Sequence, residues 1–204
     1  MEAESEIISA KRKVYKWTTV HINEQLLIKM NKIIEFFLEN PEKEYYIRQL
    51  SRMFKKSPTT ISKVLKDYQK QEILTSEKKL NHLLFKANIA SKKFKTMKIN
   101  YNLNTIMNSS LIELIQKEYN PKAIVLFGSF AKGENIPTSD IDLLVISSVK
   151  KDINLEIYEN KLKHKIQLFV KSDKDTEDMK TKSKELLNSF INGITLYGLF
   201  EVFK

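Results

Sequence analysis

The stretch that decides the fold is KAIVLFGSFAKGENIPTSDIDLLVISS, residues Lys122–Ser148. It opens with a continuous apolar run at 123–127, which is typical of a buried strand. The run ends in Gly128-Ser129. Of the four glycines in the chain, Gly128 and Gly133 both lie in this turn, where the backbone must take unusual dihedrals or let another group approach closely. Such a turn exposes amides and a hydroxyl that can bind phosphate oxygens, although a plain turn has the same pattern.

Two carboxylates, Asp140 and Asp142, open a second apolar run at 141–146. Positions i and i+2 of a strand lie on the same face of the sheet, so these two acids would repel each other and lose solvation together. Solvated acids at a strand end would account for one of them. A divalent cation is the simplest way to neutralise both, and hard oxygen ligands select Mg²⁺ or Mn²⁺.

The order Gly128-Ser129, ten residues, then Asp140-Ile141-Asp142 resembles the G-S-x10-D-x-D signature of the polymerase-β-like nucleotidyltransferases in their minimal form. The similarity covers roughly residues 111–204. It implies that Asp140 and Asp142 are catalytic and bind the metal. It implies nucleotide-binding roles for Gly128, Ser129, Lys132 and Ser139. For Lys132, an ordinary surface lysine is an equally good interpretation.

The resemblance also implies a reaction. A nucleoside monophosphate, AMP from ATP or its equivalent from another NTP, would pass to an acceptor hydroxyl with release of pyrophosphate, and Mg²⁺ or Mn²⁺ would stabilise the entering and leaving oxygens. Minimal members of the family are often antitoxins that adenylylate a partner HEPN toxin, so a tyrosine of such a toxin is one expected acceptor. Other members modify small molecules or RNA.

One position departs from the family pattern. Members commonly carry a third carboxylate on a later strand, and the matching position here is Gln167. An amide can form hydrogen bonds but is neither a base nor an anionic metal ligand. Either Glu156, Glu159 or Asp173 substitutes, or catalysis is weak, or the domain only binds nucleotide.

Charge is concentrated in one segment. The chain has 204 residues and a formal net charge of +10, and residues 41–98 alone carry 15 basic and 5 acidic groups. Because this segment holds the whole excess, we expect it to bind a polyanion such as DNA.

The same segment contains YYIRQLSRMFKKSPTTISKVLKDYQKQEILTSEKKLNHLLFKAN, residues 45–88, which resembles a winged helix-turn-helix. The apolar spacing predicts helices over Glu24–Leu38 and Tyr46–Met53, the latter with Ile47, Leu50 and Met53 inward. A third helix begins at Ser57-Pro58, and a hairpin of Ile73–Ser76 and His82–Lys86 follows. The resemblance implies DNA contacts by Thr59, Thr60, Lys63, Lys66, Lys78 and Lys79. Winged helices also bind proteins, and that alternative stays open.

The whole chain is therefore expected to be α+β. We expect an N-terminal leader (1–22), a winged helix-turn-helix domain (23–90), a connecting helix (91–120) and a nucleotidyltransferase domain with a small mixed sheet (121–204), a fusion associated with archaeal proteins. The C-terminus predicts an amphipathic helix ending near Asn192-Gly193, with Gly193 as its C-cap, and a short strand.

The chain has no cysteine, which excludes disulfides and thiolate zinc sites, and its longest uncharged run is shorter than the ~20 residues of a membrane span. We expect a cytoplasmic protein without a signal peptide.

Two functional interpretations remain, and they are compatible with each other. One is a nucleotidyltransferase, with an antitoxin that also binds DNA as its most specific form. The other is a winged-helix transcriptional regulator whose second domain is a weak or inactive nucleotide-binding module. The sequence leaves a two-fold homodimer open.

Overall fold

The computed structural model describes residues 32–79 and 82–202. The predicted leader at 1–22 and the first part of the predicted helix Glu24–Leu38 lie outside these residues. The remainder of that helix is α1, which covers Lys32–Glu39 and buries its apolar side chains.

The N-terminal unit combines helices with a small antiparallel sheet. Its further elements are β1 (Tyr45–Tyr46), α2 (Ile47–Phe54), α3 (Pro58–Lys70), β2 (Leu74–Lys79) and β3 (His82–Ala87). The strand order is β1-β3-β2. The apolar sides of α1, α2 and α3 pack with Phe85 of β3 into one core.

Helix α3 begins where its sequence predicts. The Ser57 hydroxyl accepts a hydrogen bond from the Thr60 amide at 3.1 Å, and Pro58 occupies the first helical position, where it lacks only an amide that has no partner inside the helix. On α2, however, the prediction that Met53 points inward is wrong, because its residue surface is 47% exposed. The stripe that faces the core runs through Ile47, Leu50 and Phe54, and Met53 lies beside it.

The hairpin is longer than predicted. Pairing continues to Lys79↔His82, so the charged residues 77–79 belong to β2 and not to the connecting loop. One face of this hairpin is exposed to solvent, so its outward positions can carry charged side chains.

The segment predicted as one connecting helix at 91–120 forms two helices, α4 (Lys92–Met107) and α5 (Leu111–Tyr119). The break is at Ser110, whose φ of 67° is left-handed. The Ser109 hydroxyl bridges the break, because it donates to the Ile106 carbonyl and accepts from the Leu111 amide. Helix α4 packs Phe94 into the N-terminal core and Leu103 into the C-terminal core.

The C-terminal unit is a four-stranded mixed sheet with helices on both faces. Its elements are β4 (Ala123–Phe127), α6 (Gly128–Lys132), β5 (Ile141–Ile146), α7 (Glu156–Leu162), β6 (Ile166–Lys171), α8 (Asp173–Lys182), α9 (Lys184–Ile191) and β7 (Ile194–Gly198). The order is β6-β5-β4-β7; β4 is antiparallel to both of its neighbours, and β5 is parallel to β6. In the described part of the chain, none of the helices is long and apolar enough to cross a bilayer.

The predicted C-terminal helix and strand are present as α9 and β7, but the role predicted for Gly193 is wrong. Its φ is not in the left-handed region that a glycine C-cap uses. Instead, a Cβ on Gly193 would lie 2.6 Å from the Leu126 carbonyl oxygen, so glycine is needed because β4 passes so close.

Candidate functional site

Asp142 lies in the middle of the sheet, near the end where β4 finishes and β5 begins. Its partners in register are Phe127 on β4 and Gln167 on β6, so the three side chains share one face. The residue is half-buried. Burial, and then the nearby charge of Asp140, raise the pKa of the Asp142 carboxyl. The two acids are therefore close enough to repel each other.

Gly128 brings the preceding loop onto this carboxylate. A Cβ at Gly128 would overlap Asp142 Oδ2, and the φ of +70° is a conformation that side chains rarely adopt. Both constraints require glycine at the end of β4. Ser129 follows in α6 and is half-buried, and Gly133, with φ +67°, ends the same short helix. The Gly-Ser loop and the two acids thus form one site, and the residues between them are looped out.

Gln167 contacts the other acid. Its side-chain amide donates a hydrogen bond to Asp140 Oδ2 at 2.5 Å. Within residues 32–79 and 82–202, neither Asp140 nor Asp142 forms an ion pair. Lys165, which directly precedes the neighbouring strand β6, is instead paired with Glu159 at 2.7 Å. Asp142 and one oxygen of Asp140 therefore keep lone pairs for a cation.

Two of the acids that could replace the third carboxylate have other partners. Glu159 pairs with Lys165 and accepts the Ile166 amide at 3.0 Å. Asp173 pairs with Lys122 at the opposite end of the sheet. Glu156 is exposed at the start of α7.

The donor set suits a hard cation with few protein ligands. Two carboxylates on one strand face match the oxygen ligands of Mg²⁺, which keeps several waters and takes further oxygens from substrate phosphates. Across the described ranges, no three or more His, Cys, Asp or Glu side chains cluster as a metal site. A cation at this position would therefore meet two carboxylates and, among the described residues, no complete cage of protein ligands.

Lys132 and Ser139 lie at the two ends of the looped-out segment. Lys132 is exposed at the end of α6. The Ser139 hydroxyl accepts from the Ile136 amide at 2.9 Å, and its carbonyl accepts from His164 Nδ1 at 2.7 Å. Ser139 therefore closes the turn that directly precedes Asp140. His164, which packs edge-on against Phe130, has a structural contact here.

Three residues of α4 that sequence reasoning did not single out contact this segment. Lys95, Lys98 and Asn102 contact residues 133–135. In the sequence they look like parts of a polar helix, and no local pattern indicates that they are partly or wholly buried against a loop more than 30 residues away.

A cavity of about 270 Å³ lies on the other face of the sheet, between α4, the end of α1 and residues 162–164. Ile141 contributes to its wall, and the side chain of Ile141 alternates with those of Asp140 and Asp142. The cavity is therefore separate from the carboxylate site.

The residues predicted to contact DNA are on the surface of the N-terminal unit. Those that are exposed on α3 and β2 are Thr59, Thr60, Lys63, Lys66, Lys78 and Lys79. Lys79 is held by Glu44 at 3.0 Å and by Glu77 at 3.3 Å, so part of its charge is compensated.

Comparison with curated proteins and with solved structures found no match. A family model described as "Polymerase beta, Nucleotidyltransferase" matches residues 109–199. The matched range contains the Gly128-Ser129 loop, both acids and all four strands of the second sheet. Enzymes of such families generally use an NTP and a divalent metal. The match supports a polymerase-β-like nucleotidyltransferase domain in the C-terminal part of the chain, and thus nucleotidyl transfer as its general chemistry.

Proposed function

We propose that residues 121–204 transfer a nucleoside monophosphate, AMP from ATP, to an acceptor hydroxyl. The observation that carries this proposal is the contact between Gly128 and the Asp142 carboxylate, with Asp140 beside it. It joins a loop that suits phosphate to two acids that suit a cation, and neither acid forms an ion pair among the described residues.

In this proposal Asp140 and Asp142 hold Mg²⁺ or Mn²⁺, which supplies charge stabilisation at the phosphates when it is bound. Because Gly128 has no side chain, a triphosphate can approach the backbone, with Ser129 and Lys132 as further phosphate ligands and Ser139 fixing the entry to Asp140. The acceptor oxygen forms a bond to the α-phosphorus as the bond to the β-phosphate oxygen breaks, and pyrophosphate leaves.

Gln167 sets a limit on this chemistry. Its amide orients Asp140 but cannot remove the proton of the acceptor hydroxyl. Because Asp140 and Asp142 are both assigned to the cation in this proposal, neither is the base, and the proton of the acceptor hydroxyl passes to water. An acceptor whose hydroxyl is already acidic, such as a tyrosine, suits a site without a third carboxylate. A tyrosine of a HEPN-type toxin is such an acceptor, and this partner rests on the family resemblance alone.

The test is label transfer from α-phosphate-labelled ATP with Mg²⁺ to candidate acceptors, including tyrosine-containing protein partners. We expect transfer by the natural chain and a loss of at least about 100-fold in the Asp140→Asn, Asp142→Asn double variant. Asp173→Asn is the matched control, because Asp173 lies at the opposite end of the same sheet. Equal labelling by the double variant and the natural chain would refute the assignment of these two acids.

A second function is favoured by the N-terminal unit. We propose that residues 23–90 form a winged helix-turn-helix that binds duplex DNA, joined by residues 91–120 to the transferase domain. Support comes from the order helix, strand, helix, helix, hairpin, with β1 paired to β3, and from the capped helix α3 with its exposed lysines. An antitoxin that regulates its own gene would use both functions, and a two-fold dimer would suit DNA recognition.

Duplex binding by the full chain at several salt concentrations tests this second proposal. Each phosphate neutralised steepens the salt dependence, so Lys63→Glu, Lys66→Glu, Lys78→Glu together should weaken binding strongly and flatten the slope. Control substitutions to Glu at Lys117 of α5 and at Lys174 and Lys184 of the C-terminal unit, all exposed and outside the N-terminal unit, keep the same net charge change. Equal loss in both triple variants would show that net charge alone is responsible and would remove the proposed surface.

A further inference from the structure

Helix α4 presents one continuous face to the segment that links the Gly-Ser loop with Asp140. Lys95, Lys98 and Asn102 follow one another at intervals of three and four residues, so their side chains line one side of the helix. We call residues 133–135, which this face contacts, the clamped loop. It lies between α6, which begins at Gly128, and β5, which Asp140 directly precedes.

The contacts are close and mostly buried. Asn102 donates from its amide to the Asn135 side-chain oxygen at 2.8 Å and to the Phe130 carbonyl at 2.9 Å. The Lys98 ammonium donates to the Asn135 carbonyl. A Cβ on Gly133 would lie 2.6 Å from the Lys95 carbonyl oxygen, so the loop backbone approaches the helix backbone directly.

Lys98 is the unusual member of this set. It is 1% exposed and, among the described residues, has no carboxylate within ion-pair distance. Burial lowers its pKa to about 8. A methionine would fill a similar volume without the desolvation cost of an ammonium. Packing alone would therefore favour an apolar side chain at this position. What only the amine provides is a hydrogen bond that holds the clamped loop.

Helix α4 is anchored in both cores. Phe94 is buried in the N-terminal core, and Met97 and Tyr101 pack against the same core, while Leu103 enters the C-terminal core. Helix α4 therefore connects the clamped loop to both cores through its own packing contacts.

From these contacts we infer that Lys98 is a positioning residue for nucleotide binding: it fixes the clamped loop and thereby the distance between Ser129 and Asp140. Asn102 acts in the same way on Asn135. This inference rests on the proposed transferase function. It adds that the catalytic geometry depends on a residue outside the residues 109–199 that match the family model.

The test compares Lys98→Met with Lys95→Met in the full chain. Lys95 lies on the same helix face, but its ion pair with Glu134 is solvent-exposed. The loss of this pair should therefore change ATP binding and loop exchange little. The readouts are the dissociation constant for Mg²⁺-ATP, hydrogen exchange of residues 133–139, and unfolding by urea. We expect Lys98→Met to fold, to weaken ATP binding about tenfold or more and to speed exchange in the loop, because small displacements of phosphate ligands are costly. Lys95→Met should stay within twofold of the natural chain.

A chemical rescue distinguishes the contribution of the Lys98 amine from that of side-chain packing. Because the chain has no cysteine, Lys98→Cys introduces a single thiol. Alkylation in urea followed by refolding gives either the aminoethyl side chain, which restores the amine, or the propyl side chain, which has the same length without it. The aminoethyl form should recover ATP affinity and loop protection, and the propyl form should not.

Each outcome of these experiments either supports or refutes the positioning role of Lys98. Natural ATP affinity in folded Lys98→Met, or equal affinities in the aminoethyl and propyl forms, would reduce Lys98 to core packing while the proposed function stands. If the natural chain and the Asp140→Asn, Asp142→Asn variant show equally little ATP binding, the proposed function fails and the positioning role fails with it, whatever the exchange data show of the loop.

Discussion

The buried Lys98 ammonium should make the stability of this protein depend on pH in an unusual direction. In the unfolded chain its pKa is the ordinary 10.5, and in the folded protein burial lowers the pKa to about 8. Between these values the unfolded chain binds a proton that the folded protein does not. The free energy of unfolding therefore rises with pH across this window, and the contribution is lost as pH falls through 8.

The magnitude follows from the two pKa values. A difference of about 2.5 units at 1.36 kcal/mol per unit corresponds to about 3 kcal/mol. The side chain is 1% exposed, so little of this is screened by solvent. With a urea dependence of about 2 kcal/mol per molar for a chain of this size, the denaturation midpoint should move by about 1.5 M.

The assay is urea unfolding of the natural chain and of Lys98→Met at pH 7, 8.5 and 10. Other titrating groups are common to both proteins, so the difference between the two curves isolates Lys98. We expect the natural chain to gain about 2.5 kcal/mol relative to Lys98→Met between pH 7 and pH 10, because the last part of the shift is reached only above pH 10.5. A difference that stays constant, or that falls with pH, would show that Lys98 is solvated in the folded protein and would refute the reasoning.

Three further predictions concern the site and the basic surface. Gly128→Ala should lower the free energy of unfolding by about 1–2 kcal/mol, because its backbone is left-handed, and should abolish nucleotide transfer by displacing Asp142. Thermal unfolding and label transfer measure the two effects, and an active variant would contradict the prediction. Asp142→Asn should raise the melting temperature at pH 7 but much less near pH 4. The reason is that burial raises the pKa of the Asp142 carboxyl, so its ionised form destabilises the folded state as pH rises. An unchanged melting temperature at pH 7 would contradict this prediction. Glu44→Gln should strengthen duplex binding roughly two- to fivefold at low salt by releasing Lys79, and weaker binding would show that the carboxylate supports the surface.

The proximity of the residues in the candidate carboxylate site was predictable because the signals for it are local. A buried strand, a Gly-Ser turn and two acids at i and i+2 are adjacent in the chain, so spacing and alternation alone indicate what shares a face. The start of α3 at Ser57-Pro58 was predictable for the same reason, since a cap and its amide are three residues apart. The family match at 109–199 agrees with the resemblance of this segment to polymerase-β-like nucleotidyltransferases.

The features that only the tertiary structure revealed are contacts between residues distant in the chain. Gly193 is required by β4, which lies more than 60 residues earlier, and not by its own helix. Gln167 meets Asp140 only because β6 pairs in register with β5. Lys98 is buried because two units pack on opposite sides of α4, which no helical periodicity within α4 indicates. The sequence by itself determined the residues that carry the proposed chemistry, because their relations span a few residues of backbone geometry. The folded chain decided what holds them in place, because that depends on contacts between segments that only packing brings together.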